Sequence, residues 1–200
     1  MQVVLLAVIA LQLLLPPELI ALPQYVLPGL ELLCLIALQI VTPKKAVFES
    51  RVRRFVVLAL IALIVVANMS SLQLLLQALF VAGKAQAPGL LVGAVNVYLT
   101  NVAIFGLLYW EMDSGGPGVR RNPHTEPDFL FPQQNLTTEL KPRWYPTFID
   151  YLYISITNAT AFSPTDTLPL TRRAKLIMAA QAILSLLVVV LITARAINIL

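Results

Sequence analysis

The sequence predicts an all-α integral membrane protein: a bundle of five transmembrane helices plus a short segment that is either pore-helix-like or a sixth crossing. Three observations predict it. The 200 residues are 58% hydrophobic and only 12% charged, with a mean hydropathy of +0.82, whereas about a quarter of a soluble domain is charged. The apolar residues fall into runs near the length that crosses a bilayer, about 20 residues at 1.5 Å each for a hydrocarbon layer of about 30 Å. The Lys and Arg behind the net charge of +4 stand beside those runs, where they anchor segments and set orientation. The partner these features imply is the lipid bilayer and not nucleic acid, and the location is a cell membrane, with multiple crossings.

Other classes lack their residues. Cys34 is the single cysteine and His124 the single histidine, so one chain assembles no intrachain disulfide, zinc cluster or Cys/His nucleophile pair. No paired carboxylates on a common face, Gly-rich phosphate loop or Ser nucleophile elbow occurs, so no enzyme and no cofactor are expected. Met1-Gln2-Val3-Val4 lacks the basic start of a cleaved signal peptide, and the first apolar run is expected to be retained or slightly truncated.

Taken in order, the chain divides into a four-helix transmembrane region (1–111), a polar Pro/Gly-rich connecting loop (112–146) and a pore-loop-like segment with the C-terminal transmembrane helix (147–200). Residues 1–22 form the first apolar stretch, which Pro16-Pro17 ends or kinks. A second span runs from about Pro28 to Thr42, with Glu31 near its start as a cap-like residue favoured by the helix dipole or, alternatively, an ion ligand. Lys44, Lys45, Arg51, Arg53 and Arg54 make the densest basic cluster, which the positive-inside rule puts in the cytoplasm.

The run 55–82 is long enough for one tilted helix and too short for two. Ser70, Gln73 and Gln77 share one of its faces, for hydrogen bonding between helices or, alternatively, a water-lined side. The fourth span extends to Trp110, with Gly93, Asn96 and Thr100 on a face suited to close packing and Tyr109-Trp110 as an interfacial aromatic belt. From Glu111 to Pro146 the chain is polar and punctuated by Gly and Pro, and regular structure is not expected.

The last quarter carries the functional accent. Ile149, Leu152, Tyr153 and Ile156 give a helical apolar face, while Asp150, Thr157, Asn158 and Thr160 supply polar groups. That mixture suits a short helix buried among others, followed by irregular backbone lining a cavity. Thr171 is placed to cap the final helix, in which Gln181 and Ser185 share a face and Arg195 lies near the far end.

Laid without gaps on the pore-loop pattern Y-F-S-x-x-T-x-T-T-V-G-Y-G-D-x-x-P, this stretch places Tyr153, Ser155, Thr160, Asp166 and Pro169 on matching positions. The segment thus resembles the pore loop of potassium channels, with Phe162 for the usual Val and Ser163-Pro164-Thr165 where the filter has Gly-Tyr-Gly. Most of the chain, from the basic loop to the end, also resembles a family of bacterial multi-pass membrane proteins of unknown function. That family pairs a channel-like C-terminal segment and a divergent filter with a following Thr-Arg-Arg, here Thr171-Arg172-Arg173. The likeness implies a bacterial inner membrane.

In potassium channels four copies of the loop aim backbone carbonyls at the ion, and glycines supply the dihedrals that aim them. Here Pro164 fixes its own φ and extends Ser163, and Thr165 disfavours positive φ. The resemblance therefore implies a weakly selective path for monovalent cations in a homo-oligomer, lined by Thr160, Ser163, Thr165 and Asp166. The alternative is a non-conducting structural or assembly protein in which Ser163 to Asp166 form a β-turn. The basic loop and the polar segment are separated by two spans, so both should face the cytoplasm, whereas a potassium-channel loop enters from outside.

Overall fold

The computed structural model describes residues 2–15, 19, 29–30, 32–33, 51–80, 87–120, 122, 124–135, 144–161 and 166–197. Six α-helices are present among them: α1 (Gln2–Leu13), α2 (Arg51–Phe80), α3 (Ala87–Met112), the single-turn α4 (Pro132–Asn135), α5 (Phe148–Thr160) and α6 (Arg172–Ile197). Three stretches, Arg54–Ala78, Gly89–Gly115 and Arg172–Thr193, are long and apolar enough to cross a membrane. The second expected span, with Glu31 and Cys34, falls almost entirely outside the described residues, as do Lys44 and Lys45.

α1 is 12 residues long, about 18 Å at 1.5 Å per residue, and it ends before Pro16-Pro17. Its Leu5, Val8 and Ile9 pack on Val57, Leu60 and Ile64 of α2 and on Ile104 and Leu107 of α3. The Gly93, Asn96 and Thr100 face of α3 meets this N-terminal region: Asn96 donates to the Leu11 carbonyl, and Leu19 lies against Gly93. The polar face expected on α2 has a different fate. Ser70 donates to the Val66 carbonyl in its own helix at 2.9 Å, and Gln73 and Gln77 are exposed.

α3 is the most enclosed of the three long helices and touches α1, α2, α5 and α6. It stops where three consecutive residues have positive φ: Ser114 at 55°, Gly115 at 81° and Gly116 at 109°. Glycine reaches that region without a Cβ penalty, so Gly115-Gly116 turns the chain back over the end of the helix. The start of α2 lies at the same end, since an Arg54 Nη1 sits 3.9 Å from where a Gly115 Cβ would be.

The polar segment contains more order than its composition predicts. It holds a 3₁₀ turn (Asp113–Gly115), a two-residue strand β1 (Phe129–Leu130) and α4. β1 pairs antiparallel with β2 (Leu168–Pro169), Phe129 opposite Pro169 and Leu130 opposite Leu168. What the composition hides is an aromatic knot: Phe129 stands 5.3 Å from Tyr109, and Phe131 stands 5.3 Å from Tyr151 and 5.4 Å from Trp144. Tyr109, expected in an interfacial belt, is fully buried in this knot, because α5 and β1 close over it.

These contacts decide how α5 is placed. The chain before it is held by Trp144 on Phe131, and the chain after it by β2 on β1. Both limbs of the 144–170 segment are therefore attached to the same end of the bundle. At 13 residues, α5 is about 20 Å long, shorter than the three long apolar helices.

Candidate functional site

The hairpin begins with a local cap: the Asp150 carboxylate accepts from the Thr147 N–H at 2.6 Å and from its hydroxyl at 2.8 Å. α5 then turns Tyr151, Ile154, Ser155, Asn158 and Ala159 inward, while Ile149, Tyr153 and Ile156 point outward. The expected apolar face is thus largely the outer one. The reason is that α3 and α6 offer hydrogen-bond partners on their facing sides, and an amide or hydroxyl away from water needs them.

Gln181 of α6 is the hub of that inner seam. Its Oε1 accepts from the Tyr109 phenol at 2.6 Å and from Asn158 Nδ2 at 2.9 Å, and its Nε2 donates to the Ser155 carbonyl at 3.0 Å and hydroxyl at 2.7 Å. Ser155 Oγ in turn donates to the Val102 carbonyl at 2.6 Å, and Asn158 donates to the Met178 carbonyl at 2.9 Å. One turn further along α6, Ser185 accepts from Asn101 at 3.0 Å. The face shared by Gln181 and Ser185 is the one that grips the hairpin and α3. Gly106 allows the close approach, since a Cβ there would stand 3.2 Å from Leu152 Cδ1 and 3.3 Å from its Cα.

Above this seam two buried aspartates hold the ends of the hairpin. Asp128, whose side chain is fully buried, accepts from Arg173 through two parallel bonds of 2.6 Å, the fork geometry that makes guanidinium–carboxylate pairs strong. It also accepts from Thr171 Oγ at 2.5 Å and from the Ser114 N–H at 3.2 Å. Thr171 is at the same time the cap of α6, its hydroxyl accepting from the Ala174 N–H at 3.3 Å. Of the Thr-Arg-Arg run, the first and third residues are bound by Asp128, and Arg172 is exposed.

Asp113 reciprocates. Its Oδ1 accepts from the N–H groups of Asp128 at 2.7 Å and Phe129 at 3.3 Å and from the Ser114 hydroxyl at 3.3 Å, and its Oδ2 accepts from the Tyr151 phenol. Each aspartate thus ties down the backbone beside the other, closing the intervening loop. Burial, and after it the charge of Asp113, raises the Tyr151 pKa above the ordinary tyrosine value, so the phenol remains a donor through the neutral range.

The residues expected to line a path are distributed differently. Thr160 is exposed in the last turn of α5, and its hydroxyl donates to the Ile156 carbonyl of its own helix at 2.8 Å. Asp166 is exposed two residues before β2. Ser163 and Thr165 lie outside the described residues, and so do Phe162 and Pro164.

Sequence reasoning missed Asp113, Asp128 and Tyr151 as a set. A signal existed: Asp128 directly precedes Phe129-Leu130-Phe131 within a polar stretch, and Asp113 directly follows a span and precedes Gly115-Gly116. Acids beside apolar or turn-forming residues are candidates for burial by the fold. No protein-family model, curated protein or solved structure matches this chain.

Proposed function

We propose that this chain is a multi-pass integral membrane protein of the inner-membrane type whose residues 144–170 form a re-entrant hairpin, and that its oligomer provides a weakly selective cation pathway. The membrane reading is supported by large apolar side chains on the outer surface and by polar side chains buried between the helices. Leu176, Ile183 and Val190 of α6 and Ile149 of α5 are exposed, while Asn101, Ser155, Asn158, Gln181 and Ser185 are buried. The observation that carries the channel-like reading is the return of both hairpin limbs to one end of the bundle. Non-spanning backbone at membrane depth is tolerated where protein or a water-filled cavity surrounds it.

In this reading the hairpin end bearing Thr160, Ser163, Thr165 and Asp166 faces the symmetry axis of a homo-oligomer. Hydroxyls and a ring of carboxylates attract cations with little discrimination among them. Arg54, part of the basic cluster, stands at the end of the bundle from which the hairpin enters, so the positive-inside rule makes that side cytoplasmic. The hairpin then enters from the side opposite to that of a potassium channel.

The test is flux across liposomes holding purified protein under potassium, sodium or chloride gradients. Cation flux in the wild type, lost in Asp166→Asn, is the expected result. A second reading, a non-conducting scaffold, is favoured by one observation: the Thr160 hydroxyl is bound to its own helix, and the inner face of α5 is occupied by α3 and α6. Absence of flux from folded, inserted protein selects that reading.

A further inference from the structure

Beside the aspartate pair lies a cavity of about 370 Å³, its wall including Asp113, Arg120, Asn122, Thr125 and, from the start of the hairpin, Trp144 and Tyr145. Sites for small molecules begin near this size, about 300 Å³. Arg120 distinguishes it. Its side chain is only 6% exposed, and its guanidinium lies 4.4 Å from the Trp110 ring centre and 4.6 Å from that of Tyr151.

The donors of this buried cation are incompletely used. Nη2 donates to the Trp110 carbonyl, but Nε, also buried, has no hydrogen-bond partner among the described residues. Asp113 Oδ2 is 3.4 Å from Nε, an ion pair without hydrogen-bond geometry. That carboxylate is engaged elsewhere, by two backbone N–H groups, the Ser114 hydroxyl and the Tyr151 phenol. A buried N–H left without an acceptor is costly, and Arg120, which carries it, is part of the cavity wall.

We infer that this cavity binds an oxyanion of the phosphate class, with Arg120 as the principal ligand and the Asn122 amide at the rim. The planar fork of N–H groups matches the spacing of phosphate oxygens. Trp144, Tyr145 and Leu130 supply an apolar wall for the carbon-bearing part of the ligand. Two sources carry this chemistry: a soluble phosphate ester and the headgroup of a phospholipid. The inference is independent of whether the hairpin conducts.

The experiment uses the purified chain in detergent with two probes, inorganic phosphate followed by calorimetry and phosphatidylglycerol followed by native mass spectrometry against phosphate-free diacylglycerol. Saturable binding of either probe to the wild type is expected, weakened about tenfold or more in Arg120→Gln, the loss of a charge-assisted bond. Asn122→Trp, at an exposed lining position whose side-chain oxygen accepts from the His124 N–H, should block the cavity and weaken binding as much. If Arg120→Gln does not fold, Asn122→Trp decides alone. Preference for phosphate assigns a soluble ligand, and preference for phosphatidylglycerol assigns a lipid. Failure of both probes to bind saturably, or equal binding by wild type and Asn122→Trp, overturns the inference.

Discussion

The hairpin is held by two networks of opposite character. Along its inner face the seam of Gln181, Asn158, Ser155 and Tyr109 is made of neutral amides and hydroxyls. At its two ends the support is ionic, with Asp113 near Arg120 and Asp128 on Arg173. The difference teaches how position selects chemistry. Beside the long apolar spans an ion would lose its hydration with little to replace it, whereas an amide can be satisfied entirely by neighbours. At the bundle end, backbone N–H groups and partial exposure of Arg173 make carboxylates affordable.

The largest effect should come from breaking the ionic side. Asp128→Ala removes the common acceptor of Arg173, Thr171 and the Ser114 N–H, and the expected cost is about 3 kcal/mol. That is the low end for a buried pair, because the Arg173 side chain is 54% exposed and partly screened. Thermal unfolding in detergent should show it. A change within 0.5 kcal/mol, roughly that of an ordinary surface substitution, would mean that the aspartate clasp does not hold the hairpin.

Gln181→Leu tests the neutral side and should cost about 2 kcal/mol, since it leaves the Ser155, Asn158 and Tyr109 groups without their shared partner. Buried hydrogen bonds within apolar bundles often average below 1 kcal/mol each, so a loss smaller than that of Asp128→Ala is expected. The reverse order would make the seam the principal support.

A smaller effect is expected at the close approach of α3 and α5. Gly106→Ala puts a Cβ 3.3 Å from the Leu152 Cα, backbone that yields less readily than a side-chain tip, and overpacking of this kind costs about 1 kcal/mol. Solvent exposure of α5, read by hydrogen exchange, should rise with it. Unchanged exchange would show that the seam tolerates separation.

The smallest effect concerns pH. Because the folded-state pKa of Tyr151 is raised, its contribution to stability is complete below the ordinary tyrosine value of about 10 and is lost as pH rises beyond it. Tyr151→Phe should lower stability near neutral pH by removing the bond to Asp113 and should flatten the alkaline decline. An identical alkaline slope in the variant would exclude Tyr151 as its source.

Particular residues show how far the sequence was legible. The α2 and α3 helices, the cap at Thr171 and the shared face of Gln181 and Ser185 could be read because each depends on spacing within one element. From local pattern alone Tyr109 reads as a belt residue and the loop bearing Asp113 and Asp128 as irregular, whereas all three residues are buried in the fold. Their burial depends on β1, β2 and α5 arriving from up to some tens of residues away, and no local period records that arrival.

By itself, then, the sequence determined a helical chain with long apolar stretches, their approximate bounds and the capped start of the last helix, since helix period, apolar run length and hydrogen-bonding caps are local properties. Only the tertiary structure decided that the 144–170 segment returns to the end where it began. It also decided that α5 turns Ser155 and Asn158 inward and that Asp113 binds the Asp128 N–H while Asp128 binds the N–H of Ser114 beside Asp113. Those outcomes follow from matching buried donors with acceptors across elements distant in sequence, a condition met only once the helices have packed.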